Sequence, residues 1–365
     1  MATVLTLPTT RRRLLRNIST LGAASLIGGF PNVLRAADRT LKVAVYGGLY
    51  KDTFDKEVFP AFTKASGIKI DSVAEPTGEA WLVQLQQAAK AGRVPADVNM
   101  MAQVPALRGI ALGLWQGVNE KRLPHISGVL PRLISKDKDG HTVAVGASSW
   151  YITLVSNTKV FPEAPTSWAE FWDPKHKNQL GVLANAGNSY LLEITAKTFF
   201  GGTDFLSSDE NIKRVLAKVG ELRPNVRLWY RDEAQFEQAL KAGEIPMGQY
   251  YHDVTGQAAL DGFPVRSTMP KEGGLIDSGS WVIPKASKLV DLGEVFIDYM
   301  SQPSTQALLA RKLGSTPVVD RSLTDLTDEE FAAVSSSIDP IVPRYDMHVA
   351  RADWLSQIWA EMQQG

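Results

Sequence analysis

Leu41, Val43 and Val45 alternate with Lys42 and Ala44, the period of a strand, and Gly47-Gly48 then turns the chain. Phe54, Val58 and Phe62 follow at four-residue steps, a helical spacing that Gly67 stops. Ile68 and Ile70 open a second strand, residues 79–91 read as a helix ending at Gly92, and residues 96–101 form a third, more buried strand. This β-α-β-α-β order predicts an α/β fold with a largely parallel sheet, helices on both faces and ligand sites beyond the carboxyl ends of the strands.

A second set of elements begins near Ser148, where residues 150–155 read as a strand leaving the first unit. Ser167-Trp168-Ala169-Glu170 has the spacing of a capping box, and the helix it opens must end before Pro174. A short strand at 181–183 leads into the polar turn Asn185-Ala186-Gly187-Asn188. Residues 232–242 carry Phe236 and Leu240 on one helix face and stop at Gly243, and a strand follows over 245–251. Trp281-Val282-Ile283 is a further apolar run closed by Pro284, followed by helices over 292–300 and 304–313. Towards the end, Thr327-Asp328-Glu329-Glu330 caps a helix, and Trp354, Ile358 and Met362 are spaced to cover apolar surface from a later one.

The amino terminus changes the picture. Arg11-Arg12-Arg13-Leu14-Leu15-Arg16 precedes an uncharged segment broken by Gly28-Gly29 and Pro31, with small residues at Ala36-Ala37. This is the order of a twin-arginine export signal over residues 1–37, too short and interrupted for a membrane span. Its removal takes five arginines and no acid, leaving 34 basic against 39 acidic residues, a formal charge of −5. Such a balance speaks against nucleic-acid and anionic-membrane partners. The chain has no cysteine, and its five histidines show no ligand spacing, so no thiol chemistry and no resident metal or other cofactor is expected. A mature chain of this length without an internal repeat implies two connected lobes in a monomeric periplasmic protein.

Several short motifs, in order, resemble the bacterial extracellular solute-binding proteins, especially the branch that includes the spermidine/putrescine-binding proteins. They are Tyr46-Gly47-Gly48 with Tyr50, Pro165-Thr166-Ser167-Trp168 with Phe171-Trp172-Asp173-Pro174, Pro270-Lys271-Glu272-Gly273-Gly274, and Pro303 with Gln306 before Gly314-Ser315-Thr316-Pro317. The resemblance covers about residues 41–320 and implies a two-lobed periplasmic-binding-protein fold of type II character. In such a fold, mixed, mainly parallel sheets carry helices on both faces, and strands crossing between the lobes hinge a cleft that closes on a small molecule. The corresponding boundaries are 38–150 for lobe 1, 151–275 for lobe 2, 276–322 for a return to lobe 1, and 323–365 for helices packing on the lobes. The resemblance also implies an ABC permease as partner, and since no phosphate-binding loop motif occurs, ATP hydrolysis belongs to separate ATPase subunits.

Polyamine-binding members of that branch are expected to hold ammonium groups with carboxylates and the methylene chain between aromatic rings. In the corresponding register, an acidic turn of the second lobe falls on Asn185 and Asn188, an acid after the Glu-Gly-Gly segment falls on Gly279, and an aromatic of the first turn falls on Gly48. Asp277 lies two residues from the missing acid. The expected ligand-binding set is Tyr46 and Tyr50 at the first strand end, Gln103 after the third strand, Trp150 and Tyr151 at the crossing, Asn185 and Asn188 as polar donors, Tyr250 and Tyr251, and Asp253 and Asp277 as cation partners. The expected cargo is an amine, a polyamine or an amino-acid-like solute. Tyr250-Tyr251 leaves an alternative open, because paired phenolates bind ferric ion. The competing reading of the same pair is strand alternation, with one ring in the cleft and the other in the lobe core. A secreted hydrolase is the third reading, and no Gly-x-Ser-x-Gly elbow or Cys-His pair supports it.

Overall fold

A computed structural model describes residues 40–76, 79–231 and 233–364; the stretch expected to be an export signal, 1–37, lies outside the described residues. The chain forms a mixed sheet of ten strands: β1 Thr40–Tyr46, β2 Lys69–Glu75, β3 Val98–Ala102, β4 Ile134–Lys136, β5 Thr142–Asn157, β6 Leu180–Leu183, β7 Val226–Tyr230, β8 Met247–Tyr251, β9 Val265–Thr268 and β10 Leu275–Val282. Their order is β2-β1-β3-β10-β5-β8-β6-β7, with β4 and β9 also pairing with β5.

Parallel pairing is confined to the two flanks, β2-β1-β3 and β8-β6-β7. The strands between them run antiparallel. β10 pairs with β3 through Gly279–Val282 and with β5 along its whole length, with an irregularity at Gly279/Ser280. The first half of β5 pairs with β4 and the second half with β8 and β9. Both long crossing strands therefore belong to both flanks, and the sheet is less parallel than the β-α-β-α-β reading predicts.

The alternation in β1 explains the layering on the first flank. Leu41, Val43 and Val45 join Phe54, Phe62, Trp281 and Phe296 on one face, while Ala44 joins Trp81, Leu85, Met101 and Trp115 on the other. On the second flank one core gathers Leu154, Trp168, Phe171, Val182, Phe236, Tyr250 and Trp359. The strands are packed closely enough here that a Cβ on Gly248 would lie 2.2 Å from the Gly181 carbonyl oxygen, a position only glycine can fill. The carboxyl-terminal helix Ala352–Gln364 covers this core, and the Trp359 indole donates to the Ala184 carbonyl at 2.7 Å.

Several predicted elements recur with shifted ends, as Glu79–Lys90, Glu233–Ala242, Val290–Met300 and Pro303–Leu313. The Thr327 capping box forms as read. The one at Ser167 does not: Trp168–Trp172 is a 3-10 turn, the Ser167 hydroxyl accepts from the Ala169 amide, and the same hydroxyl donates to Glu272 at 2.5 Å. Glu170 instead faces Lys175 and His176. Pro174 leaves too little chain for an α-helix, and a tertiary carboxylate takes the cap. Among the described residues no helix is long and apolar enough to cross a membrane.

Candidate ligand-binding site

The carboxyl ends of β1, β2 and β3 and the middle of β5 and β10 bring together an aromatic and acidic cluster. Tyr46 ends β1 and meets the edge of Tyr50 at 5.7 Å and of Trp150 at 6.2 Å between ring centroids. Trp150 reaches it because β5 and β10 pair Trp150 with Asp277, placing both on the face that Gly279 leaves open. A Cβ on Gly279 would stand 3.4 Å from the Tyr46 hydroxyl and 3.6 Å from the Trp150 ring. The acid that the register places at 279 is therefore replaced by the space these rings occupy. Tyr50 completes the first-lobe side, its hydroxyl 3.4 Å from the Ser148 hydroxyl.

Asp277 is the best-defined anion of the cluster. It is only 6% exposed, forms no ion pair among the described residues, and accepts hydrogen bonds from the Tyr190 hydroxyl at 2.9 Å, the Tyr345 hydroxyl at 2.8 Å and the Ser278 amide at 2.8 Å. Burial pushes its carboxyl above the ordinary value while those three donors pull the other way. Tyr190 is fixed for this task by an αL backbone, φ 49°, an unfavourable conformation for a bulky residue and the start of the helix Leu191–Phe199. Tyr345 comes from the helix Tyr345–Ala350, just before the carboxyl-terminal one and beyond the span of the family resemblance.

Asp253 opens the helix His252–Leu260 after β8 and bears on Gly314 of the first lobe, where an added Cβ would lie 3.0 Å from the Asp253 Cβ. Burial, partly opposed by the Val254 amide, pushes its carboxyl up to about 7. Gln103 is buried at the end of β3, and its side-chain oxygen accepts from Ser280 at 3.0 Å, so it braces β10.

The remaining expected residues lie elsewhere. The Tyr151 ring, alternate to Trp150 along β5, is buried on the opposite side against Gly274. Asn185 and Asn188 are exposed at the start of a four-residue helical turn, with no side-chain cap at Asn185. Tyr250 is buried in the second-lobe core against Phe236 and Tyr230. Tyr251 donates to the Glu233 carboxylate at 2.8 Å, and its ring lies 5.3 Å from that of Tyr250, whose hydroxyl reaches the Glu233 carbonyl at 3.3 Å. Both rings therefore pack on the second-lobe core beside Glu233. Burial pushes both phenols far up, with Glu237 and Glu233 adding to it at Tyr250 and Glu233 at Tyr251, and the iron reading is not favoured.

Sequence reasoning did not place Tyr345, Glu233 or Ser148 in this region. Tyr345 contacts Asp277 across 68 residues of chain, and no local pattern carries that separation. Since a hydroxyl donated to a carboxylate favours its charged form, Tyr345→Phe should raise the Asp277 carboxyl further. The expected result is a loss of roughly 1.5–3 kcal/mol in amine affinity at neutral pH, with the pH profile of binding displaced upward; calorimetry across pH measures both.

A two-flanked α/β chain with long crossing strands, whose strand ends converge on buried acids and rings, is a solute-binding protein of the periplasmic-binding-protein class. Residues 57–334 match the family described as bacterial extracellular solute-binding protein, and the chain belongs to that family. It is the solute-binding component of an ABC importer for a small polar solute. It is 26% identical over 303 residues to the gamma-aminobutyric acid-binding protein of Pseudomonas aeruginosa, covering 80% of this chain and 81% of the relative. The spermidine/putrescine-binding periplasmic protein of Escherichia coli K12 is 24% identical over 255 residues, covering 69% and 71%. The crystal structure of an ABC transporter substrate-binding protein from Bradyrhizobium japonicum superimposes with a TM-score of 0.77 at 22% identity, over 88% of this chain and 99% of that one.

Proposed function

We propose that the protein captures a small organic amine, a polyamine or an amino-acid-like solute, in the cleft between its two lobes and presents it to a membrane permease served by separate ATPase subunits. The observation that carries this reading is Asp277: a buried carboxylate without an ion pair among the described residues, set beside Trp150 and Tyr46 where the crossing strands meet. A carboxylate in that position gains most from an ammonium group that arrives with the ligand. The rings beside it suit an alkyl chain and the face of a cation. The two relatives named above bind gamma-aminobutyric acid and spermidine or putrescine, and both of those ligands carry ammonium groups.

Export by a twin-arginine signal over residues 1–37 would place the mature chain in the periplasm, as a monomer with lobe limits near residues 150 and 275. It works there by stoichiometric binding, without turnover. Asp253 and Tyr50 would border the same cleft as polar groups of its rim.

A thermal-shift panel of polyamines, γ-amino acids, α-amino acids and sugars tests the reading. An amine held at 100 times its dissociation constant should stabilise the fold by about 2.7 kcal/mol, a shift of several degrees. Stabilisation by sugars alone would refute an amine cargo.

A further inference from the structure

We infer that Glu75, at the carboxyl end of β2, is a second cation anchor of this cleft, so that the protein selects ligands with two cationic nitrogens over singly cationic or zwitterionic ones. This rests on the amine reading above and deepens it.

Glu75 is 5% exposed, and its Oε2 has no hydrogen-bond partner and its carboxyl no ion pair among the described residues. A carboxyl in that condition is costly for the fold alone, and its position shows what it faces. Parallel pairing sets Glu75 beside Tyr46, whose own hydroxyl is also buried without a partner. That hydroxyl points across β1 and β3 to Gly279, two residues from Asp277 on the same strand face. Glu75 and Asp277 therefore stand on either side of Tyr46, with Trp150 closing the row. Two orphaned polar atoms beside an aromatic cluster, between two acids, offer unused acceptors to a second cationic group.

Among the described residues no basic side chain pairs with Glu75. From β1 the titratable neighbour of Glu75 is Tyr46, and beyond it are Tyr50 and Asp277. From the helix Glu79–Lys90 it is Glu79, already paired with Arg108 of the helix Gln103–Ala111 at 2.8 Å. Lys42 of β1 lies towards the far end of the strand and faces Asp71 at 3.8 Å. Burial alone holds the Glu75 carboxyl well above the ordinary range. An ammonium group beside it favours the carboxylate, so a proton carried there passes to solvent as the ion pair forms.

The experiment titrates the mature protein and its Glu75→Gln variant with putrescine, spermidine and gamma-aminobutyric acid, in two buffers of different ionisation enthalpy. The wild-type protein should prefer putrescine or spermidine to gamma-aminobutyric acid by at least about tenfold and release about one proton on binding the diamine. E75Q should lose that preference and that proton while keeping its affinity for gamma-aminobutyric acid within about threefold. A merely structural role would change all three affinities together and leave the proton count intact. Tyr46→Phe, which keeps the ring and removes only the orphaned hydroxyl, is the second variant and should weaken putrescine binding selectively if E75Q does not fold. Unchanged diamine affinity and proton release in the variants would overturn the role of Glu75 while leaving an amine cargo standing. Failure of the wild-type protein to bind any of the three would overturn the amine reading and this inference with it.

Discussion

Asp277→Asn is expected to abolish high-affinity amine binding while leaving the fold in place. Asparagine keeps the shape; Tyr190 and Tyr345 reach different oxygens of Asp277 at 2.9 and 2.8 Å, so the single amide oxygen accepts from one hydroxyl and the amide NH2 donates to the other. It removes the charge that an ammonium group requires. Truncating one partner of a desolvated charge pair costs roughly 2–5 kcal/mol, so affinity should fall about 30-fold to several thousand-fold at neutral pH. Stability should change little, because burial already opposes the charge at this position. Calorimetry and denaturant unfolding on the same variant separate the two effects. A variant that binds amines as the parent does would remove Asp277 from the site.

The second large effect concerns stability. His348 and Glu193 form a pair that is 2% and 0% exposed, 2.8 Å apart, beneath Tyr190, whose ring lies edge-on to the imidazole at 5.5 Å. The same Glu193 oxygen accepts the Arg344 amide at 3.0 Å, which ties the carboxyl-terminal segment to the second lobe just before Tyr345. Removing one member leaves the other buried and uncompensated, so His348→Ala and Glu193→Ala should each cost about 3–5 kcal/mol.

Burial works against both charges, and their mutual attraction outweighs it. The imidazolium is held above its usual value and the carboxylate below its own. The His348 contribution is full below the ordinary histidine value of about 6.5 and is lost as pH rises through its raised value in the folded protein. The Glu193 contribution is present above the ordinary glutamate value of about 4.3 and is lost as pH falls through its lowered one. The pair therefore stabilises most between those ordinary values, and the difference in unfolding free energy between parent and His348→Ala should shrink above neutrality. Urea unfolding at a series of pH values measures it, and a difference independent of pH would mean that His348 is buried uncharged.

Much of this molecule is legible in its sequence, for reasons that individual residues make plain. Leu41, Val43 and Val45 are strand-like because each packs on one face of β1, and that face belongs to a large apolar core. Trp150 and Tyr151 part to opposite sides because strand side chains alternate. Only the last residues of β10 read as a strand, since Asp277, Ser278, Gly279 and Ser280 carry no apolar alternation. Asp277 and Gly279 face the aromatic cluster of the proposed site, where binding groups replace the residues that a core would select. The acids that the family register places at 185, 188 and 279 point to a gap in cation partners. Glu75 and Asp277 supply carboxylates from other strand positions, which only the pairing of β1 with β2 and of β5 with β10 reveals. Tyr345 is unreadable for a different reason: its role depends on the chain returning from the second lobe to the crossing strands, a tertiary fact without a local pattern. At Ser167 a correct capping motif gives way to Glu272, from a distant turn.

Recognition of a cationic nitrogen is tested most directly by titrating the mature protein with putrescine and with its mono- and diacetylated derivatives in a calorimeter. Acetylation keeps the alkyl chain that the rings would hold and removes the charges that Asp277 and its neighbours would take. Putrescine should bind saturably at one site per chain, and each acetyl group should weaken binding by at least about tenfold, or 1.4 kcal/mol. Equal binding of putrescine and its diacetylated derivative would contradict a cleft built for cations.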